Sequence, residues 1–257
     1  VTELYINNGS GNYTIATGTT FTGVYSGSIN FADIDGDNDQ DLLITGNNSS
    51  ANGKSSSLLT PQTSKIYTNN GVGNFTEDTN ANIEGVYLSS SVFFDANGNG
   101  DKDLIIIGAT SSSNVANYYK NNGNGVFTDT TDNSNIINAQ NSKNVFADID
   151  GDNDQDLLIA GFDGTSRITK FYNNNGSGQY TENTLSTFEG FSNPSIAFAD
   201  IDNDTDVDFL ISGATSGNTI SILYTNDGFG KFTEVMGTTF PGIYNGEIVF
   251  EDIDSDS

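Results

Sequence analysis

Phe31-Ala-Asp-Ile-Asp-Gly-Asp-Asn-Asp-Gln-Asp41 runs directly into the apolar triplet Leu42-Leu-Ile44. The same phrase returns as Phe93 to Asp103, Phe146 to Asp156 and Phe198 to Asp208, and in shortened form as Phe250 to Asp256. Its first aspartates fall at 33, 95, 148, 200 and 252, at intervals of 62, 53, 52 and 52 residues. A fixed period near 52 means one supersecondary unit repeated, so the fold is argued per unit. Side-chain oxygens at every second residue of a tight loop, just after a short apolar strand, are what a hard cation such as calcium selects. The phrase therefore predicts a ring or stack of calcium-clamped β modules.

A second phrase keeps the same beat. Leu4 to Thr14 recurs as Ile66 to Thr76, Tyr118 to Thr128, Phe171 to Thr181 and Leu223 to Thr233, with the aromatic position at 5, 67, 119, 172 and 224. The one long interval is explained by a Ser/Asn-rich surface insertion, Asn47 to Thr63. Within a unit the pattern is short strands and turns. Ser28 to Ala32 alternates; Leu42 to Ile44, Leu104 to Ile107, Leu157 to Ile159 and Phe209 to Ile211 are continuously apolar, as in a strand covered on both faces. Lys65 to Tyr67 then leads through Asn69-Asn70-Gly71, a hairpin signal, into Phe75-Thr76. Four strands per repeat predict an all-β β-propeller of four-stranded blades, with five repeats visible. A β-sandwich competes but would not need identical turns at constant register, and the repeats of a calcium-binding β-roll are far shorter. The expectation is one domain over residues 1–257, with inner strands near 28–33, 90–95, 143–148, 195–200 and 247–252 and partial blades at both termini.

The formal charge of −26 is local. The five loops hold 21 of the 34 acidic residues, so the chain is not a disordered acidic polymer. Eight scattered Lys/Arg supply no basic surface for phosphates, which argues against nucleic acid as a partner. There is no cysteine, and no apolar run long enough for a membrane span. Several weak calcium loops favour the extracellular or cell-surface (secreted) environment, where such modules work with dissociation constants of about 10⁻⁴ to 10⁻³ M. The repeats already under way at the first residue suggest a piece of a longer surface or secreted protein.

These residues resemble the FG-GAP (VCBS-type) repeats of integrin α-subunit-like propellers over essentially the whole chain. The resemblance is carried by the Asp-x-[Asp/Asn]-x-[Asp/Asn] loops closed by Asp41, Asp103, Asp156 and Asp208, the apolar strands after them, and Gly-Ala-Thr at 108–110 and 213–215. It implies bound calcium, some three to five ions, with positions 1, 3, 5 and 9 of each loop facing the ion and position 7 offering its backbone carbonyl. The ligands are then Asp33, Asp35, Asp37 and Asp41 with Asp39; Asp95, Asn97, Asn99 and Asp103 with Asp101; Asp148, Asp150, Asp152 and Asp156 with Asp154; Asp200, Asp202, Asp204 and Asp208 with Asp206; and Asp252, Asp254 and Asp256. The sixth position, often Gly in the family, is Asn38, Gly100, Asn153 and Thr205, so the fourth site departs furthest. Family rings usually close with seven blades, which makes this chain a possible fragment of a larger propeller. The alternative reading of the loops is that Asp, Asn and Gly simply make good turns.

No histidine or cysteine is present, which removes imidazole and thiol relays and argues against zinc or copper. Glu84, Glu189 and Glu247 are isolated carboxylates outside the loops. The expectation is therefore a protein that is not an enzyme. Tyr25, Tyr87 and Tyr244 lie eight residues before a loop's first Asp, where the other copies have Gln140 and Ser192. They are candidate anchors for a protein or glycan ligand on the face opposite the calcium loops, or else they pack over their own blades. Ser/Thr/Asn/Gly-rich stretches at Thr110 to Asn117, Phe162 to Arg167 and Thr215 to Asn218 could complete such a face. If five blades close a ring, the three tyrosines fall on consecutive blades; in a seven-blade ring the arc is broken. The reading is a calcium-stabilised extracellular binding or adhesion module. Its alternatives are a lectin-like propeller and an accessory propeller of a secreted polysaccharide-degrading enzyme.

Overall fold

The computed structural model describes residues 2–48, 61–131, 135–237 and 239–251. The chain forms two compact units, residues 1–95 with 100–131 and residues 96–99 with 132–257. All regular elements described are strands, apart from a single 3₁₀ residue at Thr131.

The first unit contains β1 (Tyr5–Asn7), β2 (Tyr13–Ile15), β3 (Val24–Tyr25), β4 (Ile29–Ala32), β5 (Asp41–Asn48), β6 (Gln62–Asn69), β7 (Phe75–Glu77), β8 (Tyr87–Phe94), β9 (Asp103–Ala109), β10 (Asn114–Asn121) and β11 (Phe127–Asp129). β1 and β2 form a two-stranded hairpin. β5, β6 and β7 follow one another in a meander whose inner edge is shared by β3 and β4, and β8 to β11 form a four-stranded meander. The second unit repeats this pattern twice, in β12 (Gln140–Ala147), β13 (Asp156–Phe162), β14 (Arg167–Asn173) and β15 (Thr181–Asn183), and in β16 (Ser192–Ala199), β17 (Asp208–Ala214), β18 (Thr219–Asn226) and β19 (Phe232–Glu234). These are four-stranded antiparallel blades of the kind a propeller is built from.

The continuously apolar second strands are buried along nearly their whole length, as their lack of alternation predicts. Their two faces serve different cores. Leu42 and Ile44 pack with Phe21, Tyr67 and Phe75, whereas Leu43 joins Ile66, Val86, Leu104, Ile106 and Tyr119. In the second unit Leu158, Phe171, Phe209, Ile211 and Phe232 share one core, with Phe171 stacked on Phe232 at 4.6 Å and Phe209 on Tyr224 at 4.8 Å.

The inner strands begin about three residues before the expected starts, because each is kinked rather than ended there. The register shifts between Tyr87 and Ser90, between Gln140 and Lys143, and between Ser192 and Ser195. The residue after the first of each pair is left-handed: Leu88 (φ 47°), Asn141 (φ 47°) and Asn193 (φ 50°). In the first blade the same kink, at Ser26 (φ 52°), opens into a break between β3 and β4. Such bulges add twist and redirect a strand without ending it. The bulge also explains a glycine of the Gly-Ala-Thr phrase: a Cβ at Gly108 would lie 2.8 Å from the Ser89 Cβ.

Two expected features differ. Asn47, Asn48, Gln62, Thr63, Asn114 to Asn117, Phe162 and Arg167, assigned to loops, are strand residues. Among the described residues of 247–252 no strand forms; Ile248 instead donates its N–H to Ser195 Oγ at 2.7 Å. Asp252, Asp254 and Asp256 lie outside the described residues, as does 49–60 of the insertion.

Candidate metal centres

Each of the four described acidic loops leaves the end of an inner strand and returns as the first residue of the second strand. Tyr25 pairs with Asn47 and Ala32 with Asp41, so the tyrosine and the acidic loop sit at opposite ends of one strand ladder. Tyr87 and Phe94 are placed in the same way, against Ala109 and Asp103.

The first aspartate winds each loop. Asp33 accepts N–H bonds from Gly36 (2.8 Å) and Asn38 (3.0 Å), and Asp148 from Gly151 (2.8 Å) and Asn153 (3.0 Å). Asp95 and Asp200 take the equivalent bonds from Gly100 (2.8 Å) and Thr205 (3.0 Å). This winding forces the sixth position to positive φ in all four loops: Asn38 69°, Gly100 90°, Asn153 70° and Thr205 79°. Thr205, β-branched, holds the conformation least suited to it.

Three loops gather their carboxylates. In the first, oxygens of Asp33, Asp35 and Asp37 lie within 4.8 Å of one another; in the third, those of Asp148, Asp150 and Asp156; in the fourth, those of Asp200, Asp202 and Asp208. The second loop has Asn97 and Asn99 where the others have carboxylates, and Asn97 Oδ1 accepts the Asn99 N–H at 3.1 Å. The fifth-position carboxylates of Asp37, Asp152 and Asp204 each accept the N–H of residue seven, at 2.9, 3.1 and 3.0 Å.

Residue seven turns its side chain away from the loop. A Cβ at Gly71 would lie 2.6 Å from Asp39 Oδ2, and one at Gly123 2.5 Å from Asp101 Oδ1. Asp206 meets Gly228 in the same way, whereas a Cβ at Gly176 would lie at an ordinary 3.5 Å from Asp154 Oδ2. Gly71, Gly123 and Gly228 thus have two duties, a left-handed φ and room for a carboxylate, and Gly176 has the first alone.

The ninth position anchors the loop to the fold. Asp41, Asp103, Asp156 and Asp208 are buried. Asp41 accepts the N–H groups of Ile34 (3.1 Å) and Asn69 (2.8 Å), Asp156 those of Ile149 (3.0 Å) and Asn174 (2.7 Å), and Asp208 those of Ile201 (3.0 Å) and Asn226 (2.8 Å). Asp103 accepts from the Asn121 N–H at 2.8 Å and the Tyr118 hydroxyl at 3.3 Å. Each one ties its loop to the end of the third strand.

The donor set fits a hard divalent cation. It is all oxygen, and part of it is left without a partner: Asp150 Oδ2 accepts from Asn173 Nδ2, while Asp150 Oδ1 is buried with no hydrogen-bond donor. A buried oxygen of this kind calls for an explanation, and a cation supplies one. The electrostatics agree. Burial and then the charges of Asp37 and Asp33 raise the Asp35 carboxyl above the usual range. Burial, with Asp152 next, takes Asp154 to about 6, and burial, with Asp150 and Asp154 behind it, takes Asp156 to about 7.

Two roles escaped the sequence reading. The repeated tyrosine of the third strand is buried, and its hydroxyl accepts a backbone N–H from the segment entering the inner strand: Tyr67 from Thr22 (3.0 Å), Tyr119 from Glu84 (3.1 Å) and Tyr172 from Ile137 (3.1 Å). The first Asn of the Asn-Asn-Gly turn reaches the preceding repeat. Asn121 Nδ2 donates to Ile34 O (2.7 Å), Asn174 Nδ2 to Ala96 O (2.8 Å) and Asn226 Nδ2 to Ile149 O (2.9 Å). Their constant offset from the acidic loops was the available signal.

Of the tyrosines proposed as ligand anchors, Tyr25 and Tyr87 lie in the first unit and Tyr244 in the second. Tyr25 (40% exposed) lines an open cavity of about 390 Å³ with Thr2, Glu3, Val24, Ser26, Gly27 and Ile29. Tyr87 is half-buried at the start of β8, and Tyr244 is exposed. Two of the three isolated carboxylates have structural partners: Glu84 accepts from Asn117 Nδ2 at 2.7 Å, and Glu247 pairs with Lys143 at 3.3 Å.

Among known proteins, the FG-GAP-like repeat family matches residues 95–159 and 148–211. No curated protein matches the chain. Solved structures similar in fold include the fructofuranosidase of Schwanniomyces occidentalis complexed with fructose, at 14% identity and a TM-score of 0.42 over 76% of this chain and 44% of that one. The β-fructofuranosidase of the same organism complexed with fructosyl-erythritol gives 14% and 0.42 over 83% and 48%. The chain spans less than half the length of either. The matched residues contain three complete acidic loops, with the bulged inner strands and the buried second strands described above, and over residues 95–211 the chain is built of FG-GAP-type repeats.

Proposed function

We propose that the chain is a calcium-stabilised binding and adhesion module of an extracellular or cell-surface protein, without catalysis of its own. The observation that carries this reading is the third loop, where oxygens of Asp148, Asp150 and Asp156 converge within 4.8 Å and Asp150 Oδ1 is buried without a donor. The first and fourth loops repeat the arrangement with Asp33, Asp35 and Asp37 and with Asp200, Asp202 and Asp208. A bound cation would supply positive charge to carboxylates that otherwise repel one another. The residues themselves hold the turn between inner and second strand, and the buried ninth aspartate links that turn to the third strand.

Calorimetric titration of the chelator-treated chain tests this directly. Calcium should bind at the three carboxylate-rich loops, and each site at ten times its dissociation constant should add about 1.4 kcal/mol to stability. No binding heat and no fall in melting temperature with chelator would sink the reading.

For the ligand, exposed Tyr25 beside an open cavity, at the end of the ladder away from the acidic loop, favours recognition on that side. Tyr25→Ala should abolish binding on a glycan or matrix-protein array while leaving the melting temperature unchanged. Equal binding by the variant would remove Tyr25 from the site.

A further inference from the structure

We propose that the second loop carries a self-modifying site, Asn99, whose conversion to aspartate charges that loop for cation binding. The inference rests on the reading of the acidic loops as calcium sites. Loops one, three and four place aspartate at both the third and the fifth position; loop two alone has Asn97 and Asn99 there, each followed by glycine. At the sixth position the other loops carry Asn38, Asn153 and Thr205, so only in loop two is the fifth-position side chain followed by an unhindered Gly100.

The local geometry suits the chemistry. Asn99 and Gly100 are exposed in an irregular loop, and Gly100 sits at φ 90°, outside the range a side chain tolerates easily. The Gly100 N–H, whose nitrogen must attack, donates to Asp95 Oδ2 at 2.8 Å, which places a carboxylate on the proton that has to leave. Gly100 N bonds to the Asn99 side-chain carbonyl carbon, and its proton passes by way of Asp95 to the departing nitrogen, which leaves as ammonia. The resulting succinimide takes up one water and opens to aspartate, or to its β-linked isomer. One water is consumed, one ammonia released, and nothing is oxidised or reduced.

The consequence lies in ligand charge, which tunes calcium affinity in loops of this type. Conversion of Asn99 gives loop two carboxylates at the first, fifth, seventh and ninth positions, one short of its three neighbours. Of the other Asn-Gly pairs, Asn8-Gly9, Asn70-Gly71, Asn122-Gly123 and Asn175-Gly176 lie in the outer hairpins, where each asparagine accepts two backbone N–H bonds of its own turn, and Asn97-Gly98 shares loop two, where Asn97 Oδ1 accepts the Asn99 N–H.

The test incubates the whole chain at mildly alkaline pH with chelator or with calcium and locates amide-to-acid conversion by tandem mass spectrometry. Asn99 should convert faster than Asn70, Asn122 and Asn175, and calcium should slow it by engaging Asp95. Gly100→Asn, which copies the residue found in loops one and three, should slow conversion severalfold with the fold intact. Asn99→Asp should bind calcium at loop two about tenfold more tightly than the unconverted chain. An Asn99 that stays intact while loops one, three and four bind calcium overturns the inference alone. Conversion of Asn99 in a chain that binds no calcium at any loop overturns instead the reading of the loops as calcium sites. Conversion without tighter binding, in a chain whose other loops do bind, overturns the charging role.

Discussion

Asp156 and Asp152 show how differently two carboxylates of one loop are employed. Asp156 is buried and accepts two backbone N–H bonds, so Asp156→Ala leaves two interior donors without acceptors. In calcium-free chemical denaturation this should cost about 2–4 kcal/mol. Asp152 is exposed and surrounded by like charge, so Asp152→Ala should cost the metal-free chain about 0.5 kcal/mol or less while weakening calcium binding at loop three. Equal losses from both would contradict the division of labour. Thr205 is the complementary case: its φ of 79° strains a β-branched residue, and Thr205→Gly should raise stability by about 0.5–1 kcal/mol in the same assay. A loss instead would mean that the Thr205 side chain packs usefully where it stands.

At the scale of the element, the sequence was most legible where physics acts locally. The unbroken apolar runs at Leu104 to Ile107 and Leu157 to Ile159 announced strands buried on both faces, and Asn69-Asn70-Gly71 announced the hairpin between β6 and β7. What stayed hidden depends on neighbours. The bulge at Leu88 has no sequence mark, since Leu is a poor left-handed residue, and only the partner strand reveals the skipped pair. Of the candidate site, the spacing of two brings the first and third aspartates of loops one, three and four together, whereas Asp41, Asp152 and Asp204, expected at the ion, lie outside the carboxylate groups of their loops. The tie from Asp156 to Asn174 was not legible, because it joins residues that meet only once β14 is in place. The hairpin glycines give a test at this scale. Gly228 is left-handed and closed in by Asp206, so Gly228→Ala should cost about 1–3 kcal/mol and weaken calcium binding at loop four in one titration. A stable variant with unchanged affinity would show that residue seven is free to move.

For the molecule as a whole, the balance of protons decides how stability responds to acid. Asp156 and Asp154 are raised to about 7 and about 6 from 3.8, by burial first and by neighbouring carboxylates after it. The native chain therefore holds more protons than the unfolded one between roughly pH 4 and 7, and without calcium its stability falls as pH rises through that window. With calcium bound, the ionised carboxylates are the ones that hold the cation, and stability should rise with pH over the same interval. Melting curves at several pH values, with calcium and with chelator, should give slopes of opposite sign. Parallel slopes would mean that the loops do not couple cation and fold. The net charge of −26 adds a salt effect: about 0.1 M monovalent salt, with a screening length near 10 Å, should stabilise the calcium-free chain more than the calcium-loaded one.

The near-identical ladders of the blades carry a kinetic hazard. Phe93 faces Leu104, Phe146 faces Leu157 and Phe198 faces Phe209 in the same register, so an inner strand meets chemically equivalent partners in every blade. Selection then falls to proximity along the chain. In each blade the correct partner is the next strand, one short acidic loop away, and a short closure forms before a longer one. Whatever slows the closing of that loop gives a foreign strand time to pair, so refolding at high concentration without calcium should trade monomer for strand-exchanged oligomers.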